Sequence, residues 1–214
     1  MTVGPSGLVA NVAKYLSGQP VIGVNPDPAR DGAILAPHAA TDAGDLIRAA
    51  AAGRAPIDER TMVEARLDDG QRVLALNEVF IGHGSHQSAR YLLRCSGGSE
   101  HQSSSGIVVT TGTGATGWGR SISLERRTSL RLPAPGEQRL AFFVREAWPS
   151  PTFGVSLTEG LIENGDALEV VSEIDDQGVV FGDGIESDRV DFGWGVQASI
   201  RVAPERLRLV TAAV

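Results

Sequence analysis

Apolar positions along this chain change rhythm near Asp58. Before that point, Leu8, Val12 and Tyr15 or Leu16 recur at helical spacing within GLVANVAKYL, so residues 7–16 are expected to form a short amphipathic helix that Gly18 ends. PVIGVN, residues 20–25, reads as a buried strand, and the PDPARDG that follows reads as a proline and aspartate turn cluster. TDAGDLIRAAAA, residues 41–52, is alanine-rich and helix-prone, with Thr41 or Asp42 placed to cap it.

From about Asp58 the chain turns to short β-type runs between turn signals. RTMVEARL and RVLALNEVFIG flank Asp68-Asp69-Gly70, which predicts a hairpin. Further strands are expected at ARYLLRCS, GIVVTT, RLAFFVREAW, GVSL, DALEVVS, GVVFGD, VQASIRV and RLRLV, while GGSEHQSSS reads as a polar turn. Many short strands with glycine-containing turns predict an antiparallel sandwich or a related β architecture. The opening helix, strand and loop read as a piece of an α/β layer.

Composition narrows the class. A chain of 214 residues can bury a real core, as one large domain or a domain plus part of another. Its net charge of -7 and pI near 5.1 argue against broad binding to nucleic acid, which needs many Lys and Arg contacts to phosphate. A small anionic ligand needs only local donors. The sequence shows no apolar run of membrane-spanning length and no signal-type N-terminus, so no membrane partner is expected and the cytoplasm is the default location. The lone cysteine, Cys95, agrees with a reducing compartment.

The chemistry concentrates in SSGIVVTTGTGATGWGRS, residues 104–121. A β-branched run, Ile107-Val108-Val109, predicts a strand, and Gly112, Gly114 and Gly117 allow a sharp turn that brings bare amides toward a ligand. A helix opening at Trp118 would direct its N-terminal amides into that turn, which suits an anion. Thr110, Thr111, Thr113 and Thr116 add hydroxyls. GTGATG also fits the G-x-G-x-x-G dinucleotide fingerprint, but the second strand with its acidic end is replaced by the basic, proline-broken RRTSLRLPAPGEQ. A glycine-rich turn with no ligand is the plain alternative.

Elsewhere the signals are weaker. His83, His86, Cys95 and His101 invite a zinc reading, but the compact ligand pairs of zinc sites are incomplete. No G-x-S-x-G elbow or Walker glycines occur, and Lys14 is the only lysine. Arg126-Arg127, with Arg120 and Arg131 nearby, would suit phosphates or simply form a solvated helix end. Asn77-Glu78 reads as a ligand pair for hydroxyls or as a polar strand edge, and Asp183-Gly184 above all as a hairpin turn.

Taken together, these segments resemble the NAD kinase family, which phosphorylates the 2'-hydroxyl of NAD. Residues 104–121 are similar to its Asp-Gly-Leu-Ile-Val-Ser-Thr-Pro-Thr-Gly-Ser-Thr-Ala-Tyr segment, with Ser105, Gly112 and Gly117-Trp118 departing from it. Gly23-Val24-Asn25, Asn77-Glu78 and Asp183-Gly184 match three further family motifs in order. The match at the Gly-Gly-Asp-Gly-Thr turn is poorer. Here the turn reads Gly4-Pro5-Ser6-Gly7-Leu8, and Ser6 stands where the family has an aspartate that orients or deprotonates the attacking hydroxyl.

The resemblance implies an α+β, mostly β fold: residues 1–40 as a remnant of the N-terminal α/β (Rossmann-like) domain, most of it missing, and residues 41–214 as a β-sandwich domain that binds NAD. It implies NAD(H) as substrate, held by Asn77, Glu78, Thr113, Thr116, Gly117, Trp118 and Asp183. A phosphate-binding turn would be made by Gly4, Gly7, Gly112 and Gly114. Phosphoryl donor would be ATP with Mg2+, and the partnership a homodimer or homotetramer. With Ser6 at the aspartate position, no catalytic residue is assigned. The alternatives are a non-catalytic module that binds NAD(H) or a related nucleotide, and a Rossmann-type NAD-dependent oxidoreductase.

Overall fold

The computed structural model describes residues 1–27 and 34–211. The last five residues of the expected PDPARDG turn, Pro28, Ala29, Arg30, Asp31 and Gly32, lie outside the described residues. The chain divides into two compact units, Met1–Arg60 with Pro204–Val214, and Thr61–Ala203.

In the first unit, β1 (Thr2–Val3) leads through α1 (Ser6–Ala13) and β2 (Pro20–Val21) to β3 (Gly23–Val24). β1 lies parallel to β3, pairing Thr2 with Gly23 and Val3 with Val24, so the segment is a strand-helix-strand crossover. Helix α1 buries Val9, Ala10 and Ala13 and stops at Ala13, short of the expected Leu16. A second helix, α2 (Ala43–Ala51), follows a 3-10 turn at Ala40–Asp42. Its Leu46 and Ala50 pack on buried Ile22, Val24 and Val210. Gly23 is required here, because a Cβ would stand 2.0 Å from the carbonyl oxygen of Leu35.

The second unit is almost all strand. In chain order it holds β4 (Ile57–Leu67), which enters it from the first unit, β5 (Arg72–Ala75), β6 (Glu78–His83), β7 (Ala89–Cys95), β8 (Gly98–Ser104) and β9 (Ile107–Thr110). Helix α3 (Trp118–Arg126) precedes β10 (Arg139–Val144), β11 (Glu159–Glu163), β12 (Leu168–Ser172), β13 (Gly178–Gly182) and β14 (Val190–Asp191). The last strand, β15 (Gln197–Val210), runs on into the first unit.

These strands form two sheets. One has the order β11-β10-β9-β6-β13-β14 and every pairing in it is antiparallel. The other runs β5-β4-β15-β12-β7-β8, with β2 added to β15. Strand alternation sends Val79 and Ile81, Ile107 and Val109, and Leu140 and Phe142 into one apolar core with Val63, Tyr91, Leu168 and Ile200 of the other sheet. Each such side chain contributes about 1.5–3 kcal/mol on burial. The opposite face of the first sheet presents Phe80, Val108, Phe143 and Phe181, which Ile122 and Trp118 of α3 cover.

The observed strands correct the sequence reading in three places. GGSEHQSSS is not a turn but largely β8, whose Gln102, Ser103 and Ser104 are buried against β7. GVSL is not a strand: the Glu100 carboxylate accepts the N–H groups of Ser156 and Leu157 and holds that stretch as a loop. VQASIRV and RLRLV belong to one strand, β15, which passes through Pro204. The Rossmann alternative also fails, because β9, the strand before GTGATG, lies antiparallel to both of its neighbours, whereas that fingerprint sits in a parallel βαβ unit.

Candidate functional site

Sheet register brings two of the motifs side by side. Glu78, the first residue of β6, pairs with Thr110, the last of β9, so Asn77 and Thr111 leave their strands together. Thr111 is the hub of the bend that follows. Its N–H donates to the Asn77 carbonyl at 2.9 Å, and its hydroxyl donates to the Leu76 carbonyl at 2.6 Å. The same hydroxyl oxygen accepts the N–H groups of Thr113 at 3.1 Å and Gly114 at 3.2 Å.

The glycines of the bend are set by close approach. A Cβ on Gly114 would lie 2.2 Å from the Asn77 carbonyl oxygen, and one on Gly112 would lie 2.0 Å from that of Ala134. The amides of residues 115–117 are also bonded within the bend, to Thr111, Thr113 and Gly114 carbonyls. A 3-10 turn at Gly114–Thr116 therefore stands between β9 and α3.

Asp183 joins the same patch from β13. Its carboxylate accepts the N–H of Leu76 at 3.0 Å and that of Asn77 at 2.6 Å, and its own N–H donates to the Glu78 carbonyl at 2.9 Å. Asp183 and Gly184 both have positive φ, 54° and 70°, the conformation of a tight hairpin turn. The Asp-Gly pair is thus a turn and a clamp on the start of β6.

Three polar side chains in this patch have no hydrogen-bond partner among the described residues. The Glu78 carboxylate is 9% exposed and makes no hydrogen bond among the described residues. The Asn77 side-chain amide, half-buried, makes none among them either. The Thr113 hydroxyl oxygen is buried and also unpaired. Burial, with a smaller contribution from the negative charge of Asp183, pushes the Glu78 carboxyl up to about 7.

The remaining expected ligand residues flank this core. Thr116 donates its hydroxyl to the Thr113 carbonyl at 2.8 Å, and Thr116 and Gly117 are exposed. Trp118 stacks on Phe80, centroids 6.0 Å apart, and carries the Arg145 guanidinium 5.5 Å from its ring centre. Phe80 and Arg145 were not among the residues expected to shape the site. Phe80 is legible in retrospect, since it lies two residues beyond Glu78 and hence on the same sheet face.

In the first unit, Gly4, Ser6 and Gly7 sit between β1 and the first turn of α1. Gly4 donates its N–H to the Val24 carbonyl, and the Ser6 hydroxyl oxygen accepts the N–H of Leu35 at 3.2 Å. Arg126 is structural: its guanidinium donates to the carbonyls of Val144 and Thr158 and lies over the Phe143 ring. His101 Nδ1 lies 2.8 Å from Glu173, and the His83 ring accepts the N–H of Ser85. Among the described residues, no group of three His, Cys, Asp or Glu is placed to hold a metal ion. None of their helices is long and apolar enough to cross a membrane.

No protein-family model matches the chain, and no curated protein matches it in sequence. Its fold is that of a solved phosphotransferase, a mostly β sandwich joined to an α/β segment. That structure is the crystal structure of yeast NADH kinase complexed with NADH, matched at a TM-score of 0.70 over 99% of this chain with 13% sequence identity. The chain spans 60% of the length of the yeast kinase. At that identity the likeness establishes a shared fold.

Proposed function

We propose that this chain is a NAD kinase-like protein. It holds NAD(H) on the Asn77, Glu78 and Thr113 patch, with Thr116, Gly117, Trp118 and Asp183 around it, and passes a phosphoryl group from Mg2+-ATP to the 2'-hydroxyl of NAD(H). One observation carries the reading: the buried Glu78 carboxyl and Thr113 hydroxyl and the half-buried Asn77 amide lie together without a hydrogen-bond partner among the described residues. Each such group costs about 1–3 kcal/mol unless something bonds to it. Vicinal ribose hydroxyls donate to a carboxylate, an amide both donates and accepts, and a threonine hydroxyl completes either role. The NADH carried by the yeast kinase of the same fold agrees with that choice of ligand.

Phosphoryl transfer works by positioning and by stabilising charge rather than by covalent chemistry. Gly7, at the start of α1 where no side chain caps the helix, would offer its amide to phosphate, with the Gly4 N–H already held by the Val24 carbonyl, while Gly112 and Gly114 shape the bend. As in the family it resembles, the protein would work as a homodimer or homotetramer.

A second reading, NAD(H) binding without transfer, is favoured by Ser6. A neutral hydroxyl that already accepts the Leu35 N–H does not take up a proton as a carboxylate would. Calorimetric titration with NAD and NADH, run beside a coupled assay for NADP, separates the two. NADP formation that depends on Mg2+-ATP supports the kinase reading; binding without turnover leaves the module. Failure to bind either nucleotide removes both. A Ser6→Asp variant that gains turnover would show that the missing acid limited the reaction.

A further inference from the structure

A second cluster of unusual charge lies on the outer face of the other sheet. In β4, Val63, Ala65 and Leu67 point into the core, so Glu64 and Arg66 point away from it. Arg66 stands directly across from Arg72 of β5, a like-charge pairing that destabilises a sheet unless an anion offsets it. Glu64 is that anion. Its carboxylate accepts Arg66 Nη2 at 2.8 Å, Arg201 Nε of β15 at 3.0 Å, and Arg72 Nε.

Charge and exposure make the cluster more than a buried ion pair. The Glu64 side chain is 0% exposed, while those of Arg66, Arg72 and Arg201 are 53%, 33% and 45% exposed. Burial alone would raise the Glu64 carboxyl, but hydrogen bonds from Arg66 and Arg201 and the charge of Arg72 hold it below its ordinary value, so it stays ionised. Arg66 and Arg201 share this one buried carboxylate, in a protein whose net charge is -7. Arg66 and Arg201 have no acceptor besides Glu64 among the described residues, so each keeps donors for a ligand on the solvent side.

We propose that Arg66, Arg72 and Arg201, fixed in place by Glu64, form a binding site for a phosphate dianion, either free or carried on a small phosphorylated molecule. Guanidinium forks match phosphate oxygens in pairs, and the buried glutamate orders them before the ligand arrives. The site is independent of the Asn77 and Glu78 patch.

The test is calorimetric titration of the full chain with inorganic phosphate. Wild type should bind, and Arg66→Gln and Arg201→Gln should each weaken binding about tenfold, the loss of one charge-assisted contact. Asn77→Ala should leave phosphate affinity unchanged. Glycerol phosphate should compete and succinate should not; equal competition by succinate would overturn the phosphate assignment. Wild-type affinity in both arginine variants, or no binding by wild type, overturns the site. If a variant fails to fold, phosphate-induced NMR shifts of the Arg72 and Arg201 Nε–H signals in wild type decide: shifts there support the site, and none there refute it.

Discussion

The Asp183 carboxylate accepts the N–H of Asn77 at 2.6 Å, across 106 positions of sequence. With its second bond to the Leu76 N–H, it fixes where β6 begins and therefore where Asn77 and Glu78 present their side chains. Asp183→Ala leaves two backbone donors without that acceptor. Stability should fall by about 2–4 kcal/mol, and NAD(H) affinity with it. Asp183→Asn, which keeps one acceptor and tolerates positive φ, should fall between. Urea unfolding with parallel titrations checks both.

Thr111 makes an analogous prediction inside the bend. Thr111→Val keeps the volume and removes the hydroxyl that donates to Leu76 and accepts from Thr113 and Gly114. The expected cost is about 2 kcal/mol, read by thermal or chemical unfolding.

Space, rather than hydrogen bonding, decides the glycines. Gly114→Ala drives a methyl group against the Asn77 carbonyl and should destabilise by about 1–3 kcal/mol. Gly7→Ala meets nothing within 4 Å and lies in α1, so it should stabilise by about 0.5–1 kcal/mol. Melting curves of the two variants should move in opposite directions.

Glu78 gives a signed pH dependence. Its carboxyl is raised from 4.5 to about 7, first by burial and then by the charge of Asp183. Between those values the folded protein keeps a proton that the unfolded chain has released. The favourable contribution is therefore full below about pH 4.5 and declines as pH rises through 7, by on the order of 3 kcal/mol. Glu78→Gln should flatten this decline and be more stable than wild type near pH 8. Unfolding free energies across that range check the slope. Ligand binding runs the other way: ribose hydroxyls donate to the ionised carboxylate, so NAD affinity should increase between about pH 6 and 8.

Much of the fold was legible where β-branched and aromatic residues run together. NEVFIG and GIVVTT are short continuous apolar runs, and both are strands buried on both faces. β8 was not legible, because Gly98-Ser99-Glu100-His101-Gln102-Ser103-Ser104 contains no apolar residue and is placed by pairing with β7. Pro204 reads as a break in a strand, yet β15 carries it. At the candidate site, the sequence singled out Asn77, Glu78, Thr113 and Asp183, and strand register gathers them into one patch. It did not show that Asp183 would bind backbone amides, or that Thr111 would tie the bend to Leu76. Those contacts depend on the register of strands far apart in sequence.

The central claim is that the unpaired groups of Asn77, Glu78 and Thr113 together receive a nicotinamide dinucleotide. Fluorescence titration of NADH into wild type, Glu78→Ala and Thr113→Val tests it most directly. Saturable binding by wild type, weakened at least about tenfold in Glu78→Ala and measurably in Thr113→Val, is the predicted result. Equal affinity in all three folded proteins would contradict it.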